Sequence, residues 1–407
     1  MNYSKDEVLQ YCMEEDVKFI RLAFCDVFGK QKNISIMPGE LERAFGYGIA
    51  IDASAIEGFG DESRSDLLLH PEPETLCVLP WRPEHGRVVR MMCGITYPDG
   101  TPFECDTRAV LKKAVEYAKR AGYEFQFGSE LEFYLFETDD NGNRTLIPYD
   151  NAGYMDIAPE DRGENIRREI CLTLEQMGIS PESSHHEQGP GQNEIDFRYS
   201  DALSAADNAQ TFKTVVRTVA RRNGLYADFS PKPIKTAPGN GFHVNVSLRP
   251  DNDTCVEHMT AGILEHITEM TVFLNPVAES YFRLGNMKAP GYVSWSHANR
   301  SQLIRIPASV GEYRRIELRS PDPAANPYLA FALIIYAALD GIERKLPLSE
   351  PSGLNMFSAS KEELADYRKL PGDIHEARGT AVKGGFAEKY IPAKIFNIYC
   401  AEEGKRL

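Results

Sequence analysis

The chain has 407 residues, of which 42% are hydrophobic and 26% charged, enough to bury a large core and too apolar for extended disorder. Sixty acidic against 45 basic side chains leave a net charge of −15, which excludes a general binder of nucleic acid or of anionic membranes and means that any anionic ligand needs a local cluster of Arg or Lys. The longest apolar run, 328–339, is short of the roughly 20 residues that cross a bilayer, and eight scattered cysteines form no CxxC pair. With no signal-peptide pattern at the start, this composition reads as a cytoplasmic protein with reduced thiols.

Taken in chain order, strand-like segments at 18–25, 33–36, 75–79 and 88–95 surround one helical stretch at 40–45. They predict a small mixed unit over residues 1–100. The stretch 96–106, with Pro98, Gly100 and Pro102, reads as a boundary, and residues 101–407 as a second, larger domain of alternating helices and strands. A helix over 106–120 places Val110, Leu111, Ala114, Tyr117 and Ala118 on one face and ends at Gly122. Similar periodicity predicts helices at 163–177, 201–222, 256–273 and 326–344, the last opened by Asn326 and Pro327 as cap and first helical residue. The fold class is therefore α+β.

The strands of the larger domain carry the chemistry, because successive side chains on a strand point to opposite faces. Over 123–136, Phe125, Phe127, Leu131, Phe133 and Leu135 alternate with a polar set that includes Gln126, Glu130 and Glu132. Over 241–248, apolar residues alternate with His243, Asn245 and Ser247; over 314–319, with Arg315, Glu317 and Arg319; over 193–198, with Glu194, Asp196 and Arg198. Such faces often meet water. Here, however, all four are rich in Glu, Arg and His, and a curved sheet would bring Glu130, Glu132, Glu194, Glu317 and His243 to one cavity, with Glu187 joining from a turn. Five carboxylates at close range stay ionised only if cations compensate them. Oxygen ligands with one imidazole favour two or three Mg²⁺ or Mn²⁺ ions over zinc or copper. Arg283, Arg300, Arg305, Arg315 and Arg319 then suit phosphate and carboxylate oxygens. No P-loop, GxGxxG or GxSxG motif occurs. His258 and His266 read as structural residues on a helix; His185 and His186 stay open.

The segments GSELEFYLF, SHHEQGPGQNEIDF, KPxxxxPGNGFHVNVSL, NRSQLIRIP and RRIELRSPDPAANPYLA, in this order, resemble the motif set of bacterial type I glutamine synthetases, in the Gram-positive branch. FIRLAFCDVFGKQKNISI and IDASAIEGF resemble the small domain of that family. The resemblance implies a β-grasp N-terminal domain and a catalytic domain whose curved antiparallel sheet lines a metal-containing funnel. It also implies a homo-oligomer, a hexameric ring or a dodecamer, with active sites shared between neighbours. The implied reaction is ATP-dependent: an acyl phosphate forms on glutamate and ammonia displaces phosphate. By motif position, Glu132, Glu187 and Glu194 would hold one metal, and Glu130, His243 and Glu317 the other. Arg300 and Arg305 would face the transferred phosphate. Asn245, Ser247, Arg305 and Arg315 would serve the nucleotide side, Arg283, Arg319 and Gly239 the amino-acid substrate. Asp52 of a neighbouring subunit would help bind ammonium.

Five departures stand against this pattern. Lys288 occupies the place of the glutamate that closes over the site and takes a proton from ammonium. Pro238 replaces an Asn at the amino-acid end, the stretch GDESRSDL after Phe59 differs, Phe357 stands where some members carry a modifiable Tyr, and the C-terminus is short. The metal and phosphate machinery is thus retained while the ammonium and glutamate ends are altered. Three readings stay open: a glutamine synthetase, a ligase using another amine or a related acid, and a catalytically weak paralogue with a binding or regulatory role.

Overall fold

A computed structural model describes residues 3–60, 62–82, 85–250, 252–307 and 314–401. Helix α1 (Lys5–Glu14) starts at Ser4, whose hydroxyl accepts the Glu7 N–H while the Glu7 carboxylate accepts the Ser4 N–H. Strands β1 (Val17–Cys25) and β2 (Gln31–Ile36), helix α2 (Leu41–Tyr47), and strands β3 (Ile49–Asp52), β4 (Asp66–Pro71), β5 (Cys77–Val78) and β6 (Arg87–Thr96) complete the first unit. Its sheet runs β2-β1-β6-β4-β3, with β5 on β6; β1 and β6 are parallel and the other pairs antiparallel. The strand expected at 75–79 shrinks to two residues because Pro73–Thr75 form a 3-10 turn.

Asp106 links this unit to the second. Its Oδ1 accepts the N–H groups of Arg108 and Ala109, capping helix α3 (Thr107–Arg120), and its Oδ2 accepts the Ile95 N–H from β6. Arg108 extends the tie. It is buried, and its guanidinium bonds Glu72 of the first unit and Asp207 of the second.

The second sheet is built from β7 (Glu124–Thr138), β8 (Arg144–Pro148), β9 (Pro181–His186), β10 (Gln192–Asp201), β11 (Leu225–Asp228), β12 (Phe242–Arg249), β13 (Trp295–His297), β14 (Ile304–Ile306) and β15 (Ile316–Leu318). Its main path is β13-β14-β15-β12-β7-β10-β9, with β8 and β11 also on β7. The sheet is not wholly antiparallel as expected: β13 and β14 pair in parallel. Helices α4 (Glu164–Gln176), α5 (Ala202–Arg222), α6 (Asp253–Leu274), α7 (Ser280–Arg283) and α8 (Pro327–Arg344) fall close to the periodic segments or beside them. Asn326 caps α8 through the Tyr328 N–H, and Pro327 is its first residue. The apolar side chains of β7 and β12 pack under α8, with Phe127 stacked on Phe331 at 4.3 Å and Phe242 close by at 6.0 Å. One apolar cluster runs through both units. It fills the inner face of the sheet, so the opposite, polar face is free to form a site. Helices α9 (Ile374–Gly384), α10 (Phe386–Tyr390) and α11 (Ala393–Cys400) close the described chain. No described helix is long and apolar enough to cross a membrane.

Candidate active site

The strand register places the polar residues in rows. Strand β7 presents Gly128, Glu130 and Glu132 on one face. Gly128 lies opposite Asn245, which lies opposite Glu317, which lies opposite Arg305. Glu130 has His243 on one side and Asp196 on the other. Glu132 lies beside Glu194, and Glu194 beside His185. Three strands alone therefore bring Glu130, Glu132, Glu194, Asp196 and His243 together. Glu187 follows β9 in a turn that its N–H closes on the Gln192 carbonyl at 2.8 Å. That turn needs Gly189, where a Cβ would lie 1.9 Å from the Tyr134 hydroxyl.

Three groups of ligand atoms lie within 4.8 Å of one another: Glu130, His243 and Glu317; His185, Glu187 and Glu194; and Glu130, Glu194 and Asp196. His243 Nδ1 is 3.2 Å from Glu130 Oε2 and 3.8 Å from Glu317 Oε1. His185 Nε2 is 3.0 Å from Glu187 Oε1. Glu132 turns its Oε2 to the Gly241 N–H at 2.8 Å and the Gln192 amide at 3.0 Å.

Burial first, then the neighbouring carboxylates Glu132, Asp196, Glu130 and Glu187, pushes Glu194 well above the ordinary carboxylate range. Burial and Glu130 raise Asp196, and burial raises Glu132. Burial works against Glu130 as well, but the hydrogen bond and charge of His243, with the Asn245 amide, hold it down at about 2. Protein groups thus compensate part of the acidic charge and leave Glu132, Glu194 and Asp196 short of it. A hard divalent cation fits such a donor set, oxygen-rich with a single imidazole per group.

Arginines rim the well. Arg305 and Arg319 each bond one oxygen of Glu317, the second at 3.1 Å. Arg315 Nε donates to Asn245 Oδ1 at 2.9 Å, and Asn245 Nδ2 donates to Glu130 Oε1 at 2.8 Å. Arg283 is buried at the end of α7, donating to the Ser320 carbonyl at 2.7 Å and the Arg319 carbonyl at 3.2 Å. Arg300 is exposed, and its carbonyl accepts from Arg319. Gly239 lies against Arg283 and Pro231, where a Cβ would come within 2.4 Å of the Pro231 oxygen. Ser247 lines a cavity beside Glu130 and Asn245 with Gln126, Asp196, Tyr199 and Arg315.

Two predicted residues stand apart from the well. Asp52 ends β3, exposed, accepts the Ser54 N–H at 2.9 Å and is held below the usual carboxylate range by that bond. Lys288 is exposed in the loop after α7, next to Met287; both have positive φ, 74° and 36°. Of the other departures, Pro238 accepts the Tyr134 hydroxyl at 2.7 Å through its carbonyl, Phe357 is partly exposed, and Asp61 lies outside the described residues. Sequence reasoning left Asp196 and Gln192 out of the candidate set and His185 undecided. Asp196 sits in the same alternation as Glu194, which was signal enough; Gln192 and His185 gain their positions only from the pairing of β10 with its neighbours.

A carboxylate well whose donors fit hard cations, rimmed by guanidinium groups, suits chemistry on phosphate and carboxylate oxygens. Residues 16–98 match the family model of the glutamine synthetase β-grasp domain, and residues 104–405 that of the glutamine synthetase catalytic domain. The chain is 43% identical to the glutamine synthetase of Clostridium saccharobutylicum, covering 98% of this chain and 94% of that protein. It is 45% identical to that of Methanosarcina mazei, covering 98% and 93%. Among solved structures, GmaS with ADP superimposes with a TM-score of 0.86 at 26% identity over 97% of this chain and 93% of that one. Plasmodium falciparum glutamine synthetase superimposes with 0.83 at 23% identity over 98% of each chain, a likeness of fold. The chain belongs to the glutamine synthetase family. It is an ATP-dependent ligase that joins a carboxylate to a nitrogen nucleophile.

Proposed function

We propose that the chain makes L-glutamine from L-glutamate, ammonia and ATP through γ-glutamyl phosphate. The observation that carries this reading is the joined row Arg305–Glu317–Asn245–Gly128 beside His243–Glu130–Asp196, which sets hard-cation ligands directly against guanidiniums. Glu130, His243 and Glu317 would hold one Mg²⁺ or Mn²⁺, and Glu132, Glu187 and Glu194 the other, for two or three cations per site. Such cations supply positive charge against the phosphate oxygens. Ser247, Asn245, Arg305 and Arg315 would orient the nucleotide. Arg300 would meet the phosphate in transfer, while Arg283, Arg319 and Gly239 grip glutamate. The γ-phosphoryl group moves to the side-chain carboxylate, ADP leaves, ammonia attacks the acyl carbon and phosphate departs. Asp52, exposed at the end of β3, suits a role in a neighbouring subunit's site within a ring of six or two stacked rings.

One feature favours a second reading. Lys288 would repel ammonium at the place where the family carries a glutamate. A γ-glutamyl ligase for another amine, or for a related acid, tolerates that change and still needs ATP, the cations and Arg283. Phosphate release from ATP with Mg²⁺ or Mn²⁺ and glutamate, with ammonium and then with a panel of amines, decides between them. Ammonium-stimulated turnover yielding glutamine upholds the first reading. A response to another amine alone replaces it with the second. Nucleotide binding without turnover across the panel refutes both and leaves a binding protein.

A further inference from the structure

A second acidic group lies behind the well. Asp150, Asp161 and His186 are all buried and bring ligand-type atoms within 4.8 Å of one another. Their hydrogen bonds argue against a metal. His186 Nδ1 is 2.6 Å from the Glu187 carbonyl oxygen, and His186 Nε2 is 2.8 Å from Asp150 Oδ1. A carbonyl oxygen only accepts. Asp150 Oδ1 also accepts the Gly191 N–H at 3.0 Å, and Asp150 Oδ2 the Arg162 N–H at 3.1 Å, so both of its oxygens act as acceptors. Each ring nitrogen of His186 therefore donates, and no lone pair remains for a cation. Asp161 is taken by Arg167, through Nη1 at 3.1 Å and through Nη2.

What the pair holds is the turn that carries Glu187. His186 grips the Glu187 carbonyl at one end of residues 187–191, and Asp150 grips the Gly191 N–H at the other. Arg167 adds a third point through Asn193 Oδ1 at 2.6 Å, and Asn193 Nδ2 returns to the Gly191 carbonyl at 2.9 Å. Across the turn, Glu187 points its carboxylate to His185 and into the group with Glu194. His186 is 0% exposed, so water cannot replace either bond without opening the fold.

We propose that the Asp150–His186 pair is a positioning device that fixes Glu187 for cation binding, and that the bond from His186 Nδ1 to the Glu187 carbonyl transmits it. The inference rests on the reading of Glu187 as a metal ligand. Two exchanges separate the bonds of the ring. The amide nitrogen of Asn stands close to Nδ1 of histidine, and that of Gln close to Nε2. His186→Asn keeps a donor for the Glu187 carbonyl; His186→Gln keeps one for Asp150 and releases Glu187. Both remove the same charge and the same ring.

The readout is binding of Mn²⁺ to the full-length protein, followed by electron paramagnetic resonance of the free ion, with thermal stability measured alongside. Loss of a partner behind a ligand costs about 10–100-fold in metal affinity, so His186→Gln weakens one class of Mn²⁺ site by at least about tenfold and leaves the other unchanged, while His186→Asn stays within about threefold of the parent protein. Wild-type affinity in His186→Gln overturns the proposal. So does an equal loss at both classes in both variants that follows their loss of stability, the signature of a packing role. Should either exchange fail to fold, Asp150→Ala, which also releases the Gly191 N–H at the far end of the turn, is measured in the same way: weakening of one class supports the proposal, and unchanged binding overturns it. Glu187→Gln is the control. If it leaves both classes intact, the assignment of Glu187 as a ligand fails; if it removes a class that His186→Gln leaves untouched, only the positioning role fails.

Discussion

Glu194 is where the acidic well opposes the fold most strongly, and Glu194→Gln tests that opposition. Its ligand oxygen lies within 4.8 Å of those of Glu130 and Asp196, and again within 4.8 Å of that of Glu187. One like-charge contact at that distance amounts to about 3.5 kcal/mol at an effective dielectric constant of about 20. Unfolding entropy of roughly 2.1 cal/mol/K per residue converts this over the chain to about 4 °C in Tm. The sign follows from linkage. The folded value of Glu194 is raised above its unfolded one, so the stability it contributes is present at low pH and is lost as pH rises through the folded value. A glutamine in its place suffers no such loss. In chelator at pH 7–8, Glu194→Gln therefore melts higher than the parent by about 4 °C, and the gap closes toward pH 4. With Mn²⁺ present the gap narrows to about 1 °C, because the variant lacks a carboxylate proposed as a ligand; a hundredfold weaker site forfeits about 2.7 kcal/mol of ligand stabilisation, or about 3 °C. Differential scanning calorimetry at several pH values, with chelator and with Mn²⁺, reads both effects. A lower Tm in chelator, or an undiminished rise with Mn²⁺, refutes the account of the well.

Asn245→Ala cuts the bridge from Arg315 to Glu130 and leaves Arg315 Nε without its partner amide. A hydrogen bond to a charged group contributes about 1.5–3 kcal/mol, so KM for ATP rises by about tenfold or more in initial-rate assays, and an unchanged KM removes the pair from nucleotide handling. Arg108→Met leaves Glu72 to Lys112 and Asp207 to the Tyr328 hydroxyl and removes the charged hydrogen bonds that join the two units, which costs about 1.5–3 kcal/mol and lowers Tm by about 2–4 °C in calorimetry; a smaller fall means that the two units are held together mainly by apolar contact. Lys288→Glu places an acid in the loop after Arg283. If ammonia is the natural acceptor, ammonium-dependent phosphate release stays level or increases, and a marked loss of turnover with the natural amine instead identifies Lys288 as part of a different acceptor site.

The face of each strand was legible where side chains alternate, and which strands are neighbours was not. Glu130 and Glu132 stand on one face of β7 by a period of two, readable from Phe125 to Phe136. That Glu132 meets Glu194, and Glu130 meets His243, depends on pairings between segments about 60 and 113 residues apart, which no local pattern reports. The resemblance supplied those pairings as ligand sets, and Asp196 was passed over because it belongs to neither set. Local signals were missed as well. Ser4 and Glu7 form a capping box that announces α1. By contrast β3 has only four residues, and β4 ends on a proline, so neither shows enough alternation to be read. Lys213 lies on α5 among buried residues and donates to the Pro323 carbonyl in the loop before α8, a contact 110 residues away that no local pattern reports.

The wiring of the arginines bears on how an acidic protein handles anionic substrates. Arg305 and Arg319 occupy the two oxygens of Glu317, and Arg315 reaches Glu130 through Asn245. Each of these guanidiniums is thus oriented by a carboxylate that the proposed reading also gives to a cation. A cation at Glu317 and Glu130 competes with the arginines for the same lone pairs and weakens their hold on the acid. The guanidinium N–H groups then turn outward at less cost to meet phosphate or carboxylate oxygens. Cation affinity and anion affinity are on this account two sides of one coupling free energy, equal in both directions. The nucleotide must therefore tighten Mn²⁺ binding by the same factor by which Mn²⁺ tightens the nucleotide. Glu317→Gln, which keeps one acceptor oxygen but removes the charge that both partners share, reduces that common factor; equal cation enhancement of ADP binding in the variant and the parent would show that the arginines and the cations act independently.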